Sequence, residues 1–350
     1  MKIPIKINVF RRNLTHLITK NIGNSQLNQN TSFIEKAKIK RILICRPNQR
    51  LGNLLLITPL VQEITTTFPE CKIDLFVKGT LAPIVLKNYE NINFIFELPK
   101  KPFKTLLEYF QVWVKMRKQQ YDIVINVDIN SSSGKLATQF ANSKYKFYGD
   151  AIDDIQHNYK DYEHIAKYPI YNFRSYLTHL GVEKNENPIP YLNLKLSTQE
   201  ISEGKKLLDE IITNNKKTIC IFTFATGDKC YSESWWENFY DQLKKEYSNY
   251  NIIEVLPVEN VSQISFKAPT FYSKDIRQIG SLLANTELFI GADSGIMHLA
   301  SAAHIPTVGL FSSTNVNKYQ PYNKNSVAIN TNNSDSKECI KIINKILITH

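Results

Sequence analysis

Neither a G-x-G-x-x-G fingerprint nor a G-x-x-x-x-G-K-[ST] loop occurs anywhere in the 350 residues, which argues against a nicotinamide dehydrogenase and against a P-loop NTPase. The five cysteines (Cys45, Cys71, Cys220, Cys230, Cys339) are odd in number, form no C-x-x-C pair and have no histidine at zinc spacing. A disulfide framework and a zinc site are therefore not expected; core thiols in a reducing compartment are. No apolar run reaches the roughly 18 residues of a membrane span, and the N-terminus lacks the compact apolar region and small-residue cleavage site of a secretory signal. These absences predict a cytoplasmic protein. With 43% apolar and 21% charged residues the chain is not collagenous, coiled-coil or disordered.

At this length two domains are expected, because one hydrophobic core rarely organises so many residues. The net charge of +11 is unevenly spread. Nine of the 43 Lys/Arg and one of the 32 Asp/Glu fall in residues 1–41, a net of +8, which leaves 34 against 31, or +3, for the rest. A basic arm on a near-neutral body does not predict a nucleic-acid groove; it predicts an anionic partner for the arm. Val9, Phe10, Leu14, Leu17 and Ile18 recur at helical spacing, so residues 1–20 read as a basic amphipathic helix suited either to peripheral contact with an anionic membrane or to packing on the protein's own surface, or else as a poorly ordered leader. Residues 21–32 read as a polar linker.

From Arg41 onward, short apolar runs alternate with amphipathic segments, the pattern of βα units and parallel sheets. Strands are predicted at 41–47, 72–78, 93–99, 121–127 and 145–149, with helices near 53–67, 80–88, 103–119 and 133–141. GVEKNENPIP (181–190) reads as a connection, after which strands recur at 218–224, 251–257, 288–293 and 307–312, with helices near 198–212, 234–247, 275–285 and 295–303. The expected organisation is an arm over 1–40, a first domain over 41–185, a second over 186–334 and a C-terminal helix over 335–350 that packs back across the junction.

In open α/β sheets ligands collect at the carboxyl ends of strands. The most informative such loop lies in LFIGADSGIMHLASAAHIPTVGLF (288–311). There Asp293 and Ser294 can cap a helix, while Ser294 and Gly295 offer free N–H groups where the helix dipole favours an anion. Ser294 and His298 are four residues apart and face one side. The same residues also suit a helix cap and an interior histidine without a ligand.

The run D-S-G-x-x-H-L-A-S-A followed by P-T-V-G-L-F resembles the C-terminal signature of glycosyltransferase family 9, the ADP-heptose:lipopolysaccharide heptosyltransferases, and the similarity extends over roughly Arg41 to Asn330. RPNQRLGNLLLITPL (46–60) resembles the family's first loop through Gly52, Thr58 and Pro59. YDIVIN is similar to its fourth strand, and ATGDKCYSESWWENF (225–239) to its second-domain loop.

The resemblance implies a GT-B fold, α/β with two Rossmann-like domains facing a cleft, in which the nucleotide sugar binds the C-terminal domain and a lipid-linked oligosaccharide acceptor the N-terminal one. It implies that Asp293, Ser294, Gly295 and His298 hold the diphosphate and sugar, with Gly52 and Thr226 also at the substrate. Lys229 would neutralise diphosphate charge, so that neither a metal nor another cofactor is needed beside the donor, ADP-heptose. Glu259 is expected at the ribose hydroxyls, and Trp235 and Trp236 in packing. The chain departs from the pattern at Asn53, where the family places an aspartate as general base; an amide cannot accept that proton. Asp128 is the substitute by placement, although it equally suits a turn residue in DINSSSG. The expected activity is inverting transfer of heptose to a lipopolysaccharide or lipooligosaccharide core at the inner face of the cytoplasmic membrane. The alternatives are another nucleotide sugar in envelope glycan assembly, or a non-catalytic sugar-nucleotide-binding relative.

Overall fold

The computed structural model describes residues 23, 25, 33–101, 104–150 and 155–348. The helix expected over residues 1–20, and with it the membrane contact assigned to it, lies outside the described residues, as does most of the expected linker. Ser25 of that linker is tied down: its hydroxyl bonds Asp150 Oδ1 at 2.5 Å and accepts the Tyr148 N–H at 2.8 Å.

The chain divides into two compact units. The first holds residues 1–49, 60–83 and 89–189, and the second holds 50–59, 84–88 and 190–350. In the first unit β1 (Arg41–Arg46), β2 (Lys72–Lys78), β3 (Ile92–Leu98), β4 (Gln120–Asn126) and β5 (Asn142–Phe147) form a parallel sheet in the order β3-β2-β1-β4-β5. In the second, β6 (Thr218–Phe222), β7 (Asn251–Val255), β8 (Thr270–Phe271), β9 (Leu288–Ala292), β10 (Thr307–Phe311) and β11 (Val327–Asn330) follow the order β11-β10-β9-β6-β7-β8. Each sheet is thus laid outward from its first strand and then restarted on that strand's other side, the Rossmann arrangement. The helices are α1 (Leu51–Leu55), α2 (Thr58–Thr67), α3 (Ala82–Val85), α4 (Leu106–Arg117), α5 (Ser132–Phe140), α6 (Tyr168–His179), α7 (Thr198–Ile211), α8 (Glu233–Glu246), α9 (Ile276–Leu283), α10 (Gly295–Ala302), α11 (Val316–Tyr319) and α12 (Ser336–Ile348).

The central strands are apolar on both faces because helices cover both, as in all-parallel sheets. Ile42 to Cys45 and Leu288 to Ala292 are fully buried. Burial pushes the thiol of Cys45 up to about 12 and those of Cys71 and Cys339 to about 11, so these cysteines are inert core side chains. The core of the second unit gathers Trp236, Phe239 and Leu243 of α8 against β6, β9 and β10, and Cys339, Ile343 and Ile346 of α12 join it. The C-terminal helix therefore buries its apolar face in the second unit's own core, which corrects the expectation that it packs back across the junction.

The helix expected over 53–67 is two helices. The Thr58 hydroxyl donates to Leu55 O (2.7 Å) and accepts the Asn193 N–H (3.1 Å), so it satisfies an orphan carbonyl at the end of α1, and Pro59 opens α2 where a missing N–H costs nothing. Unexpected elements are α6, whose buried face (Ile170, Phe173, Tyr176, Leu177) is interrupted by the buried, hydrogen-bonded Asn172, and the short edge strands β8 and β11.

In the second unit α7 is fixed to α9 by an ion pair: Arg277 reaches Glu200 through Nε (2.6 Å) and Nη2 (2.8 Å) and also donates to the carbonyls of Leu194, Lys195 and Ile84. The guanidinium holds the Glu200 carboxyl well below the usual carboxylate range. Removing one partner from such a buried pair leaves an uncompensated charge, at a cost of about 3–5 kcal/mol. Arg277→Met should lower the urea stability by that order. Because the carboxyl is depressed in the folded state, its contribution is present above the ordinary carboxylate value and is lost as pH falls through the folded one. Urea titrations across the acid range should accordingly show less loss on acidification in Arg277→Met than in the parent.

Candidate active site

The crevice where strand order reverses lies, in the second sheet, beyond the carboxyl ends of β6 and β9. Asp293 follows β9 directly, its N–H bonded to Leu310 O at 3.1 Å, and its side chain is buried. A buried carboxylate needs partners. Lys229, at the end of the short 3₁₀ turn Gly227–Lys229 after β6, supplies one at 2.6 Å on Oδ2, and the Thr314 hydroxyl donates to the same oxygen at 2.9 Å. Lys229 is about one-third exposed and lies 5.9 Å from the centroid of the Tyr319 ring. Loops after β6, β9 and β10 thus converge on one carboxylate.

Ser294 alone caps α10: its hydroxyl accepts the Met297 N–H at 3.2 Å. The expectation that Asp293 shares the capping is corrected, because its side chain is engaged by Lys229 and Thr314. The Gly295 and Ile296 N–H groups fall in the first helical turn, where no intrahelical acceptor exists, so the helix end keeps the anion-binding character read from the sequence.

Gly52 and Gly295 face one another. A Cβ at Gly52 would stand 2.8 Å from His298 Cδ2, and one at Gly295 would stand 3.2 Å from Leu51 Cβ and 3.4 Å from the Gly52 nitrogen. The absence of side chains at both positions lets α1 lie directly on the start of α10. Gly52 therefore meets the buried edge of His298 as a packing surface, and Asn53, half-buried, follows it by one residue.

Asp128 is in the first unit, just past β4. The Arg46 guanidinium, buried at the end of β1, bonds Asp128 Oδ2 through Nη1 at 2.6 Å, and the Asn130 N–H bonds Oδ1 at 3.0 Å. This pair occupies the strand-reversal position of the first sheet, between β1 and β4. Asp128 therefore holds the DINSSSG turn and also presents a charged pair at the ligand end of the sheet. Thr226 and Glu259 are exposed and make no hydrogen bond or ion pair with Lys229 or Asp293; Glu259 stands on a turn closed by Asn260 N–H to Pro257 O (2.9 Å). Trp236 is fully buried in the core, as expected.

Thr314 escaped the sequence reading, and so did two charged residues. Arg46 is one. The other is Glu254, fully buried on β7, which accepts from the Thr223 hydroxyl (2.5 Å) and the Ser262 hydroxyl (2.7 Å), while Thr223 Oγ1 also accepts the Gln263 N–H. Burial raises the Glu254 carboxyl above its ordinary value. It fastens the loop after β7, the loop that carries Glu259, to the end of β6. Both residues share a signal, a charged side chain inside an otherwise apolar strand (RILICRP and NIIEVLP), which is tolerated in a buried strand only with a partner.

The model of glycosyltransferase family 9 (heptosyltransferase) matches residues 272–346, the stretch that carries Asp293, Ser294, Gly295 and His298. Over that stretch the chain is similar to glycosyltransferase family 9. It is 21% identical over 299 residues to lipopolysaccharide heptosyltransferase 3 of Escherichia coli, covering 79% of this chain and 85% of that protein. Its fold is that of the family 9 glycosyltransferase from Veillonella parvula, with a TM-score of 0.70 at 16% identity, covering 90% of this chain and 99% of that one. The E. coli heptosyltransferase WaaC, solved with ADP-2-deoxy-2-fluoro heptose, superposes with a TM-score of 0.60 at 16% identity over 87% and 99% of the two chains. The parallel α/β architecture read from the sequence is thus GT-B, and the chain is a glycosyltransferase.

The close approach of α1 to α10 makes a direct test. A methyl group at Gly52 would improve helix propensity by up to about 1 kcal/mol, but it would collide with a ring that is itself buried, and overpacking of that kind costs about 1–3 kcal/mol. Gly52→Ala should therefore lower stability, read as a fall in Tm by calorimetry; an unchanged or higher Tm would mean that the contact is slack.

Proposed function

We propose that this glycosyltransferase moves a heptosyl residue from ADP-heptose to the inner core of a lipopolysaccharide or lipooligosaccharide, with inversion at the anomeric carbon, on the cytoplasmic side of the membrane. The observation that carries the reading is the Lys229–Asp293–Thr314 cluster at the N-terminal end of α10, within the matched stretch and at the reversal point of the second sheet. A cation and first-turn N–H groups suit a diphosphate, and they also stabilise the charge that develops on the leaving ADP when the glycosidic bond breaks. Lys229 supplies that charge neutralisation from the protein itself. Asp293, pinned by Lys229 and Thr314 through Oδ2, remains able to accept a hydrogen bond from a sugar hydroxyl. His298 and Gly295 complete the donor side, and Thr226 and Glu259 lie on flanking loops, where Glu259 suits the ribose hydroxyls. The relatives favour the sugar and the acceptor: one is named for lipopolysaccharide heptosyl transfer and one was solved with an ADP-heptose analogue.

In a one-step displacement the acceptor oxygen attacks the anomeric carbon, the bond to the diphosphate breaks, and the acceptor proton goes to a base. Asn53 cannot take it. Asp128 is the base in this reading, and Arg46 orients its carboxylate. A positioned base contributes about 10²–10⁴-fold to the rate. Single-turnover measurements should show Asp128→Asn slower by a factor in that range with unchanged donor affinity, whereas Asn53→Asp is unchanged or faster; an unaltered rate in Asp128→Asn excludes Asp128.

The donor assignment has its own test. Asp293→Ala and Lys229→Ala should each weaken ADP-heptose binding in calorimetry by about tenfold or more, the range for loss of a charge-assisted contact. ADP-heptose should also raise the parent's Tm more than UDP- or GDP-sugars do, since only a ligand of the native state stabilises it. Equal binding by parent and variants would remove these residues from the donor site.

A further inference from the structure

Helix α4 carries more apolar surface than its packing uses. Tyr109, Val112, Trp113 and Met116 point inward and close the core of the first unit over β3 and β4. On the adjoining face Leu106, Leu107, Phe110 and Val114 are 51%, 73%, 63% and 48% exposed. They fall within about 100° of one another on the helical wheel, so they form one stripe and not scattered single residues. Phe140, at the end of α5, extends it: the residue is 43% exposed, its ring centroid lies 5.8 Å from that of Trp113, and Arg117 donates to its carbonyl at 2.8 Å with its guanidinium 5.6 Å from the ring centroid.

The charge around the stripe has one sign. Lys100, Lys101 and Lys104 precede it, and Lys115, Arg117 and Lys118 follow, against one carboxylate, Glu108, between residues 100 and 118. All six cations are exposed. We propose that this face of α4, with Phe140, is a docking surface for an anionic lipid bilayer. A helix with an open apolar stripe and cations at both ends lies in the plane of the interface, with its apolar side chains among the upper acyl carbons and its lysines at the headgroup phosphates. A nucleic acid or an acidic soluble protein would engage the cations but leave Leu107 and Phe110 in water, whereas a bilayer satisfies both. This surface is built from residues other than those of the N-terminal arm, and it does not depend on the identity of the donor sugar.

The full chain should sediment with vesicles of equal parts phosphatidylglycerol and phosphatidylcholine, bind far less to phosphatidylcholine alone, and release as salt is raised. Leu107→Ser/Phe110→Ser/Val114→Ser should reduce that binding by about tenfold or more, because the apolar anchor is gone. Since these side chains are exposed, the variant should keep the parent's Tm. Lys101→Glu/Lys104→Glu/Lys115→Glu should abolish the preference for anionic vesicles and provides a second probe if the serine variant is unstable. Three results overturn the proposal. They are undiminished binding by both variants, with deletion of residues 1–32 alone accounting for sedimentation; equal uptake by uncharged vesicles; and a parent that sizes as a dimer but becomes a monomer in the serine variant, which would make the face a contact between copies of the chain.

Discussion

A carboxylate that loses its water must be compensated within the protein, and at Asp293 this requirement organises the second unit's functional end. Its partners come from two other loops: Lys229 after β6 and Thr314 after β10. One buried charge therefore fixes the mutual position of three strand-to-helix connections, which would otherwise be independent surface loops. The Glu254–Thr223–Ser262 network does the same for the loop after β7, tying it to the end of β6.

The two units repeat one solution with different chemistry. Where the strand order reverses in the first sheet, a buried arginine meets a partly exposed aspartate; in the second, a partly exposed lysine meets a buried aspartate. The buried member is the cation in one case and the anion in the other. The first pair thus has its carboxylate as the more exposed member, and the second its ammonium.

Much of this was legible in the sequence because the period of the apolar residues is a direct record of burial. The long central strands and the D-S-G loop stand out, and Lys229 could be placed through the resemblance of its loop to that of the family. What was missed has physical causes. The edge strands β8 and β11 are too short to show a period. Helix α6 hides its apolar face behind Asn172, whose polarity is cancelled only by partners distant in the chain, Tyr162 and Gly149. The break at Thr58 depends on a hydroxyl shared with Asn193, and the packing role of Gly52 depends on a histidine nearly 250 positions away in the chain. Such pairings exist only after folding. Arg46 and Glu254, in contrast, were readable as charges within apolar strands.

Residues 50–59 and 84–88 belong by their contacts to the second unit, although they lie between strands of the first, so the chain passes from one unit to the other five times. The two units are therefore not modules that can be exchanged by a single cut. Severing the backbone at residue 189 would strip the second unit of α1 and of the Ile84 carbonyl that receives Arg277, and it would leave those pieces attached to the wrong half. Recombination between relatives that respects only the linear order of the sheets would break the Gly52–His298 contact. The heritable unit of this enzyme is thus the whole interleaved chain.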